Sequence, residues 1–471
     1  MKRAACFLLS WGMFVFASPA RSEVVAPAED TLTAKARSLV AALEKGDFEV
    51  ATRDFDTTML ELLGPEQLGA IWTSHLPAQV GRFERQGPAR REQLQGHEIV
   101  LVTCVFEKAT LDARVVFDQE EKISGLQFVP AAPTAPPVSY EPPAYADPSH
   151  FGESEVTVGT GEWAVPGTLT VPRGPGPFPG LVLVHGSGPN DRDESIGPNK
   201  PFKDLAWGLA TKGVAVLRYE KRSLVHGQKI LASPEVEAAM TVKEETIDDA
   251  LAAAALLGKD ERIDPRRIFI LGHSLGGYLL PRIALAAEPL GLAGFISLAG
   301  PTRSLEELIL DQTSHLLSLA GDSLSAEEKK QLDEVAGAVA RIRALSEADK
   351  GSTTRILGAM PAYWLDLRGY DPAAAAKKVT QPMLFLQGGR DYQVTAEDLE
   401  GWKRALGDRA DVSFRLFPRL NHLFFEGEGT ITPLEYTQRH GSVALAVIEE
   451  IATFLGVGRG GKESPKLEKP S

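Results

Sequence analysis

The stretch RIFILGHSLGGYLL, residues 267–280, places a serine between glycines at the end of an apolar run. The apolar residues predict a buried strand, and the residues after the serine predict a helix. Within it, GHSLG (residues 272–276) matches the Gly-x-Ser-x-Gly turn that exposes a nucleophilic serine between a strand and a helix. Side chains at the two glycine positions would crowd the sheet and the helix. Ser274 is therefore a candidate nucleophile, and a serine that only caps the helix is the alternative.

A nucleophilic serine needs a base, and the base needs an acid that orients it. When the serine lies on a turn of this kind, the chain order is serine, then aspartate or glutamate, then histidine. Asp391 follows a predicted strand in MLFLQGGRDYQV, and His422 follows another in FPRLNHLFFEG. Both lie in loops at strand ends and in the required order. Ser274, Asp391 and His422 are therefore the predicted catalytic triad.

The chain offers other histidines and acids beyond Ser274, but their positions suit this role less well. His315 falls within a long inserted region, and His440 follows TPLEYTQR, within or near a helix. Both are interpreted as surface or packing residues. Among the acids, Asp366 and Asp371 lie in the insertion, and Asp398 is predicted to face solvent on a helix.

The predicted reaction also needs donors for the oxyanion that forms when the serine attacks a carbonyl. The backbone N–H of Leu275 is one candidate, since it opens the helix after the nucleophile. The second is the Ser187 N–H, within the Gly-rich loop HGSG (residues 185–188), with its glycine neighbours as alternatives. His185 and His273 are interpreted as residues that support these loops, not as bases.

Short apolar runs alternate with helical stretches in the second part of the chain, and the runs lack a polar alternation. Such strands are buried on both faces, which is typical of a parallel sheet covered by helices. The pattern predicts an α/β fold with a mostly parallel sheet. The predicted strands are GLVLVHG (180–186), GVAVLRYE (213–220), RIFILG (267–272), GFISLAG (294–300), PMLFLQGG (382–389) and VSFRLFP (412–418).

One interval between predicted strands, about residues 301–378, is too long for a simple crossover. Ser325 and Glu328 have the spacing of a capping box and open a predicted helix with an apolar stripe. Helices inserted here would lie over the carboxyl ends of the strands, where substrates bind. The insertion is predicted to be a lid.

The chain exceeds the usual size of one domain, and its composition changes along its length. Residues 29–129 show helical patterns followed by strand patterns, which predicts a small α+β domain. Residues 130–150 contain seven prolines and are predicted to be a linker. Residues 151–456 carry the predicted α/β domain, and residues 457–471 are predicted to be a flexible tail.

Residues 1–22 are typical of a signal peptide, because Lys2 and Arg3 precede an apolar stretch and small residues follow it. The sequence therefore predicts export, to a bacterial periplasm or beyond. No later segment reaches transmembrane length, so no membrane span is expected after cleavage. Cleavage would leave Cys104 as a single thiol in a strand-like run, predicted to be a small buried residue.

The composition and motifs exclude several other classes of protein. A net charge of −13 with no basic cluster argues against a nucleic-acid partner. His-Glu-x-x-His and paired-cysteine motifs are missing, as are phosphate-loop and dinucleotide fingerprints. Neither a metal nor a cofactor is predicted. Two charged runs, NDRDE (190–194) and RYEKR (218–222), lie on loops at strand ends, where shaping the site and forming salt bridges remain alternatives.

Four stretches resemble secreted bacterial carboxylesterases of the α/β-hydrolase fold, over about residues 150–456. They are the long run LVLVHGSGPNDRDESIGPNKPFKDLAWGLATKGVAVLRYEKR and the motifs LGHSLGG, QGGRDYQV and NHLFF. The order of helices and strands in residues 29–129 resembles the nuclear-transport-factor-like domain that precedes some of these esterases. The resemblance implies Ser274, Asp391 and His422 as the triad, short-chain acyl esters as substrates and no cofactor.

Other activities remain alternatives to a serine carboxylesterase. A serine peptidase or a thioesterase of the same fold would use the same triad. A noncatalytic binding protein is the alternative from another class, although it would have no reason to keep all three residues in order. The expected partner is a small-molecule ester. The oligomeric state does not follow from the sequence.

Overall fold

Two β-sheets organise the chain, one in each of two units. The computed structural model describes residues 31–94, 97–118, 120–131, 140–319, 324–429 and 431–457. The smaller unit lies within Ala17–Pro137 and the larger one within Val138–Ser471. The predicted signal peptide, residues 132–139 of the predicted linker and residues 458–471 lie outside the described residues. In the described ranges, no helix is both long and apolar enough to cross a membrane.

The smaller unit has helices followed by an antiparallel sheet, as the pattern of residues 29–129 predicts. Its helices are α1 (Thr31–Lys45), α2 (Phe48–Ala51), α3 (Thr57–Leu62), α4 (Pro65–Ala70), a π-helical turn (Ile71–His75) and α5 (Leu76–Val80). Its strands pair in sequence order and are β1 (Phe83–Leu94), β2 (His97–Phe106), β3 (Thr110–Phe117) and β4 (Ile123–Pro130).

Strand β1 was not predicted from the sequence, because its residues FERQGPARREQL show no apolar alternation. The strand lies at the edge of the sheet, where polar side chains are tolerated. Cys104 of β2 is buried in the core of this unit, and burial raises the pKa of its thiol to about 12. The thiol is therefore an inert packing group, as predicted.

The larger unit contains an eight-stranded sheet in the order β12-β11-β10-β9-β7-β8-β6-β5. Six of its strands are parallel, and the first two in sequence form an antiparallel edge. The strands are β5 (Phe151–Val158), β6 (Val165–Pro172), β7 (Phe178–Val184), β8 (Ala215–Tyr219), β9 (Ile263–His273), β10 (Gly294–Leu298), β11 (Met383–Gly388) and β12 (Val412–Phe417).

Helices cover both faces of this sheet, which explains the continuous apolar runs of its central strands. Leu181 and Leu183 of β7 belong to the core on one face, and Val182 and Val184 belong to the core on the other. The helices are α6 (Pro201–Thr211), α7 (Arg222–Val225), α8 (Gly227–Leu231), α9 (Pro234–Ala239), α10 (Asp248–Leu257), α11 (Leu275–Ala286), α12 (Leu305–Ser318), α13 (Ala326–Ala344), α14 (Pro361–Leu367), α15 (Pro372–Ala376), α16 (Ala396–Leu406), α17 (Leu434–Gln438) and α18 (Leu445–Phe454). Short turns of 3₁₀ or π helix lie at Pro148–His150, Gly161–Trp163, Lys243–Ile247, Glu288–Leu290 and Glu347–Asp349.

The insertion between β10 and β11 is helical, as predicted, and carries α12 to α15. Ser325 and Glu328 form the predicted capping box at the start of α13. Ile342 on the apolar stripe of α13 packs with Ile309 of α12 and with Trp364 of α14. The insertion therefore has a small core of its own, separate from the cores beside the sheet.

The second half of the proline-rich segment packs on the larger unit. Tyr140 donates a hydrogen bond to Asp204 of α6, with 2.8 Å between the oxygens. Tyr145 donates another to the Val443 carbonyl at 2.6 Å. The Val443 N–H in turn donates to Asp204 at 3.0 Å. Asp204 is fully buried and connects this segment to α6 and to the loop before α18.

The burial of Asp204 makes stability depend on pH in a defined direction. Burial raises the pKa of its carboxyl to about 7 from an ordinary value of 3.8, and the nearby Asp193 adds to this effect. Between these values the folded chain holds a proton that the unfolded chain has lost. The free energy of unfolding therefore falls as pH rises from about 4 to about 7. The full change is on the order of 4 kcal/mol, since one pKa unit corresponds to about 1.4 kcal/mol.

We expect Asp204→Asn to abolish this dependence, because an amide keeps its shape but does not ionise. Denaturant unfolding at about pH 5 and about pH 8 measures the effect. Relative to the wild type, the variant should gain about 3 kcal/mol of unfolding free energy between the two conditions. Asp408→Asn, which removes an exposed carboxylate, is the control and should follow the wild type. An Asp204→Asn protein with the same pH dependence as the wild type would contradict the assignment.

Candidate active site

Ser274 occupies a strained turn between β9, which ends at His273, and α11, which begins at Leu275. Its φ of 51° lies in the left-handed region, which a residue with a Cβ rarely adopts. A Cβ at Gly272 would lie 2.2 Å from the Gly276 carbonyl oxygen, and one at Gly276 would lie 2.5 Å from the Val184 carbonyl oxygen. Both glycines are therefore required by close backbone approach. This is the geometry that the Gly-x-Ser-x-Gly motif predicts.

Asp391 and His422 meet at the carboxyl ends of β11 and β12. The Asp391 Oδ2 lies 2.7 Å from the His422 Nδ1, and both side chains are buried. The Asp391 Oδ1 accepts the backbone N–H groups of Gln393 at 2.8 Å and Val394 at 3.0 Å. The Gln387 amide donates to the Oδ2 at 3.1 Å. The carboxylate is thus held in one orientation, and it fixes the His422 ring with the proton on Nδ1 and Nε2 left as the base.

The loop that carries His422 contacts the turn that carries Ser274. His273, the residue before the serine, lies 3.1 Å from the His422 carbonyl oxygen through its Nε2. The two imidazole rings are 4.8 Å apart between centroids. The structure therefore places the Asp391–His422 pair directly beside the turn of Ser274.

The other histidines and acids beyond Ser274 have different partners. His315 on α12 stacks on Tyr392, and His440 accepts the Glu141 N–H. In the insertion, Asp366 pairs with Arg282, and Asp371 caps α15. Asp398 does not face solvent as predicted. It is fully buried and paired with Arg303, because this arginine at the start of the insertion folds back onto α16.

A cavity beside Ser274 brings the predicted oxyanion residues together with the insertion. Ser187 and Leu275 line it, and α12 contributes Leu305, Leu308 and Gln312. Its other lining residues are Ser274, Tyr278, Pro301, Gln393 and Val394. None of these ten side chains carries a charge. The insertion therefore covers the nucleophile with a mainly apolar surface, which suits an uncharged acyl group.

Glu194 and His273 form a buried pair that sequence reasoning did not assign. The His273 Nδ1 lies 2.8 Å from the Glu194 Oε2. Burial opposes both charges, but each group favours the charge of the other. The pKa of His273 is raised and that of Glu194 is lowered. With its Nε2 on the His422 carbonyl and its Nδ1 beside the Glu194 carboxylate, His273 has an acceptor next to each nitrogen, so both nitrogens carry a proton. It cannot accept a proton from Ser274, which agrees with its predicted supporting role.

The contacts of His185 also indicate a structural role. It is buried, stacks on Phe202 and meets the edge of Tyr219. Burial lowers the pKa of His185 to about 4, so the ring is neutral at physiological pH. The loop after β7 is therefore supported by an uncharged aromatic contact.

The two charged runs contain both salt bridges and residues that contact the site. Arg192 pairs with Glu220 at 2.7 Å, and Arg218 pairs with Asp193. Glu194 instead accepts the Gly186 N–H at 2.6 Å and binds His273. The sequence signal for Glu194 was only its position on a loop at a strand end. Its partner depends on the tertiary fold.

Comparison with known proteins agrees with this geometry. Residues 181–430 match a family model described as the alpha/beta hydrolase family. The chain belongs to the alpha/beta hydrolase family. Its mostly parallel sheet, the turn of Ser274 and the helical insertion confirm the predicted fold class. Residues 36–126 match a second model, a domain family of unknown function named DUF3887.

One relative extends this comparison to most of the chain. This alpha/beta hydrolase is 41% identical over 416 residues to Esterase EstD of Thermotoga maritima, which covers 88% of this chain and 93% of the relative. It is 25% identical over 293 residues to Dipeptidyl peptidase family member 6 of Caenorhabditis elegans, covering 60% of this chain and 32% of that protein. Among solved structures, a hyperthermophilic esterase from the archaeon Pyrobaculum calidifontis matches with a TM-score of 0.40 and 14% identity, over 64% of this chain and 82% of that one.

Proposed function

We propose that this alpha/beta hydrolase is a serine carboxylesterase that cleaves short-chain acyl esters. The observation that carries the proposal is the Asp391–His422 pair, at 2.7 Å, beside the strained turn of Ser274 and its uncharged cavity. The similarity to Esterase EstD over nearly the full length of both chains supports an ester substrate.

In the proposed reaction the Ser274 hydroxyl attacks the ester carbonyl and passes its proton to the His422 Nε2. The Asp391 carboxylate stabilises the imidazolium that forms. The backbone N–H groups of Leu275 and Ser187 donate to the oxyanion. His422 then protonates the leaving alcohol, which leaves an acyl group on Ser274. Water, deprotonated by His422, attacks this acyl-enzyme and releases the acid.

The uncharged lining of the cavity distinguishes an esterase from an aminopeptidase. An aminopeptidase must bind a positively charged α-amino group, which requires acidic side chains near the nucleophile. The lining residues are uncharged, and Gln312 and Gln393 are the polar groups beside the serines and Tyr278. The geometry therefore favours an acyl group without charge.

A substrate panel tests the activity. It contains p-nitrophenyl esters with acyl chains of graded length, a butyryl thioester and aminoacyl p-nitroanilides, each assayed beside a Ser274→Ala preparation. The expected result is the highest kcat/KM with short acyl esters. Preferential cleavage of the anilides would identify a peptidase, and preference for the thioester would identify a thioesterase. Binding without turnover of any substrate would favour the noncatalytic alternative.

The insertion is proposed to select the acyl group without taking part in the chemistry. Leu308 of α12 lines the cavity, so Leu308→Ala should make room for longer chains. We expect the ratio of kcat/KM for a hexanoate over an acetate ester to rise about tenfold. Reactivity with a small fluorophosphonate should stay unchanged. The control is Leu324→Ala, which shortens an exposed side chain of the same insertion. If Leu308→Ala instead lost reactivity with the phosphonate while Leu324→Ala kept it, α12 would have to support catalysis itself.

The first residues of the chain resemble a signal peptide. We propose that residues 1–22 direct export, supported by the Lys2-Arg3 start and the apolar stretch after it. N-terminal sequencing of the protein from the periplasm or medium should find a start after Ala20 or Ser22, whereas an intact Met1 would reject cleavage.

The unit within Ala17–Pro137 is proposed to be accessory. A chain beginning at Val138, which keeps Tyr140 and Tyr145, should still be acylated by a phosphonate, and a folded but unreactive product would reject this role.

A further inference from the structure

Side chains that the catalytic triad does not use hold both peptide groups of Gly186: the one that carries its N–H, and the one that joins its carbonyl to Ser187. The Gly186 N–H donates to the Glu194 Oε1 at 2.6 Å. The Gly186 carbonyl accepts from the Lys221 Nζ at 2.8 Å and from the Asn190 Nδ2 at 3.3 Å. Because Glu194 occupies the Gly186 N–H, that group cannot serve an oxyanion. Of the two other candidate donors in this loop, Ser187 lines the cavity beside Ser274 and Gly188 does not, so the Ser187 N–H is the better placed donor.

Lys221 is only 2% exposed, although lysine side chains are rarely buried. It follows β8, and its backbone N–H donates to the Asn190 carbonyl at 3.0 Å. The closest approach of its ammonium to a carboxylate is 3.6 Å, to the Glu245 Oε1. Its shorter contact is with the Gly186 carbonyl oxygen. A buried ammonium costs desolvation free energy, so its placement on a loop carbonyl points to a role there.

The contact between Lys221 and the Gly186 carbonyl affects the Ser187 N–H, because both groups belong to the same peptide. The Gly186 carbonyl and the Ser187 N–H belong to one planar trans peptide, in which the two bonds point in opposite directions. A cation on the carbonyl oxygen therefore lies on the side away from the Ser187 N–H. It withdraws electron density from the peptide, which makes that N–H a stronger donor. Ser187 lines the same cavity as Ser274.

We propose that Lys221 is a positioning residue of the oxyanion hole, which orients and polarises the Gly186–Ser187 peptide so that the Ser187 N–H stabilises the oxyanion. This inference rests on the proposed esterase function. Its effect belongs to the transition state, because the negative charge on the substrate oxygen forms only there. Loss of Lys221 should therefore lower kcat and leave KM nearly unchanged.

The experiment compares Lys221→Met, Lys221→Arg and Lys243→Met. Lys243 pairs with Asp248 at 2.8 Å and does not contact Gly186, so its variant is the control for loss of an ammonium. Three measurements are made on each protein: kcat and KM with a short p-nitrophenyl ester, the affinity for an alkyl trifluoromethyl ketone, and the pKa of the enzyme-bound hemiketal by ¹³C NMR. Circular dichroism and thermal unfolding confirm that each variant is folded.

In Lys221→Met we expect kcat and ketone affinity to fall by a similar factor of about tenfold or more, with KM changed by less than about threefold. The hemiketal pKa should rise by about one unit, which a tenfold weaker oxyanion site implies. Lys221→Arg should recover part of both losses, because a guanidinium retains the charge and a donor. Lys243→Met should match the wild type.

The hemiketal pKa separates a role in the oxyanion hole from a general role in the fold. A folded Lys221→Met protein with a wild-type hemiketal pKa would overturn the inference, even if kcat fell. If Lys221→Met does not fold, Lys221→Gln decides, since it removes the charge beside the Gly186 carbonyl and keeps a donor. It should raise the hemiketal pKa by less than a unit, and an unchanged pKa would overturn the inference. If the wild-type enzyme forms no hemiketal at Ser274, the proposed function itself fails.

Discussion

Ser274→Ala is expected to lower kcat for short acyl esters by about 10⁴-fold or more, to a level close to background. The effect is large because the serine oxygen forms the covalent bond of the acyl-enzyme and no other group can take its place. Alanine keeps the Cβ at the strained turn, where φ is 51°, so the backbone needs no rearrangement. The loss should therefore occur in a protein with wild-type circular dichroism and thermal stability.

Covalent labelling identifies the nucleophile independently of turnover. A fluorophosphonate should modify the wild-type enzyme once, and peptide mapping should place the adduct on Ser274. Ser304→Ala is the control, because Ser304 lies at the start of α12 and makes no capping hydrogen bond. It should be labelled and active like the wild type. Stoichiometric labelling of Ser274→Ala at another residue would show that the nucleophile is elsewhere.

The turn of Ser274 was predictable from sequence because a short motif carries both glycines, although the carbonyl oxygen that excludes a side chain at Gly276 belongs to the distant Val184. The carbonyl oxygen that excludes a side chain at Gly272 belongs to Gly276, four residues later. A short motif therefore contains most of the information about the turn. Asp391 and His422 were predictable for a related reason, since both follow apolar strands whose carboxyl ends meet at one edge of a parallel sheet.

Strands β5 and β6 were not predicted, β5 because it is an edge strand with a weak apolar pattern and β6 because its residues are typical of turns. Only two of the eight residues of β5 (FGESEVTV) are buried, and β6 (VPGTLTVP) contains prolines and a glycine that are typical of turns. The antiparallel edge joins the rest of the sheet through the pairing of β6 with β8, which is about 50 residues away in the chain. Local periodicity carries no information about such a pairing.

Glu194 and Lys221 show the corresponding limit for the site. Each lies in a run of charged residues, and neighbours in the same runs, Arg192 and Arg218, form the salt bridges that were the alternative interpretation. Lys221 reaches Gly186 across 35 positions of the chain. A charged residue next to another charged residue does not reveal whether its partner is a carboxylate or a backbone carbonyl. Only the folded chain distinguishes the two.

Asp391→Asn and His422→Ala are each expected to lower kcat by about 10⁴-fold. In Asp391→Asn the amide oxygen can still accept the N–H groups of Gln393 and Val394, so the loop keeps its conformation. The amide nitrogen then faces the His422 Nδ1, where a carboxylate oxygen lies in the wild type. Because an N–H donates where an acceptor is needed, the neutral imidazole moves its proton to Nε2. The nitrogen that should accept the proton of Ser274 is then already protonated.

Coupling between the two substitutions tests whether Asp391 acts through His422. If it does, the double variant Asp391→Asn/His422→Ala should be no slower than His422→Ala alone, because the acid has no ring left to orient. Asp366→Asn is the matched control, since Asp366 pairs with Arg282 and should keep kcat within about threefold of the wild type. Multiplication of the two losses in the double variant would mean that the carboxylate contributes separately from the imidazole. Near-normal turnover in either single variant would remove that residue from the triad, whereas equal losses that do not multiply would show that acid and base act as one unit.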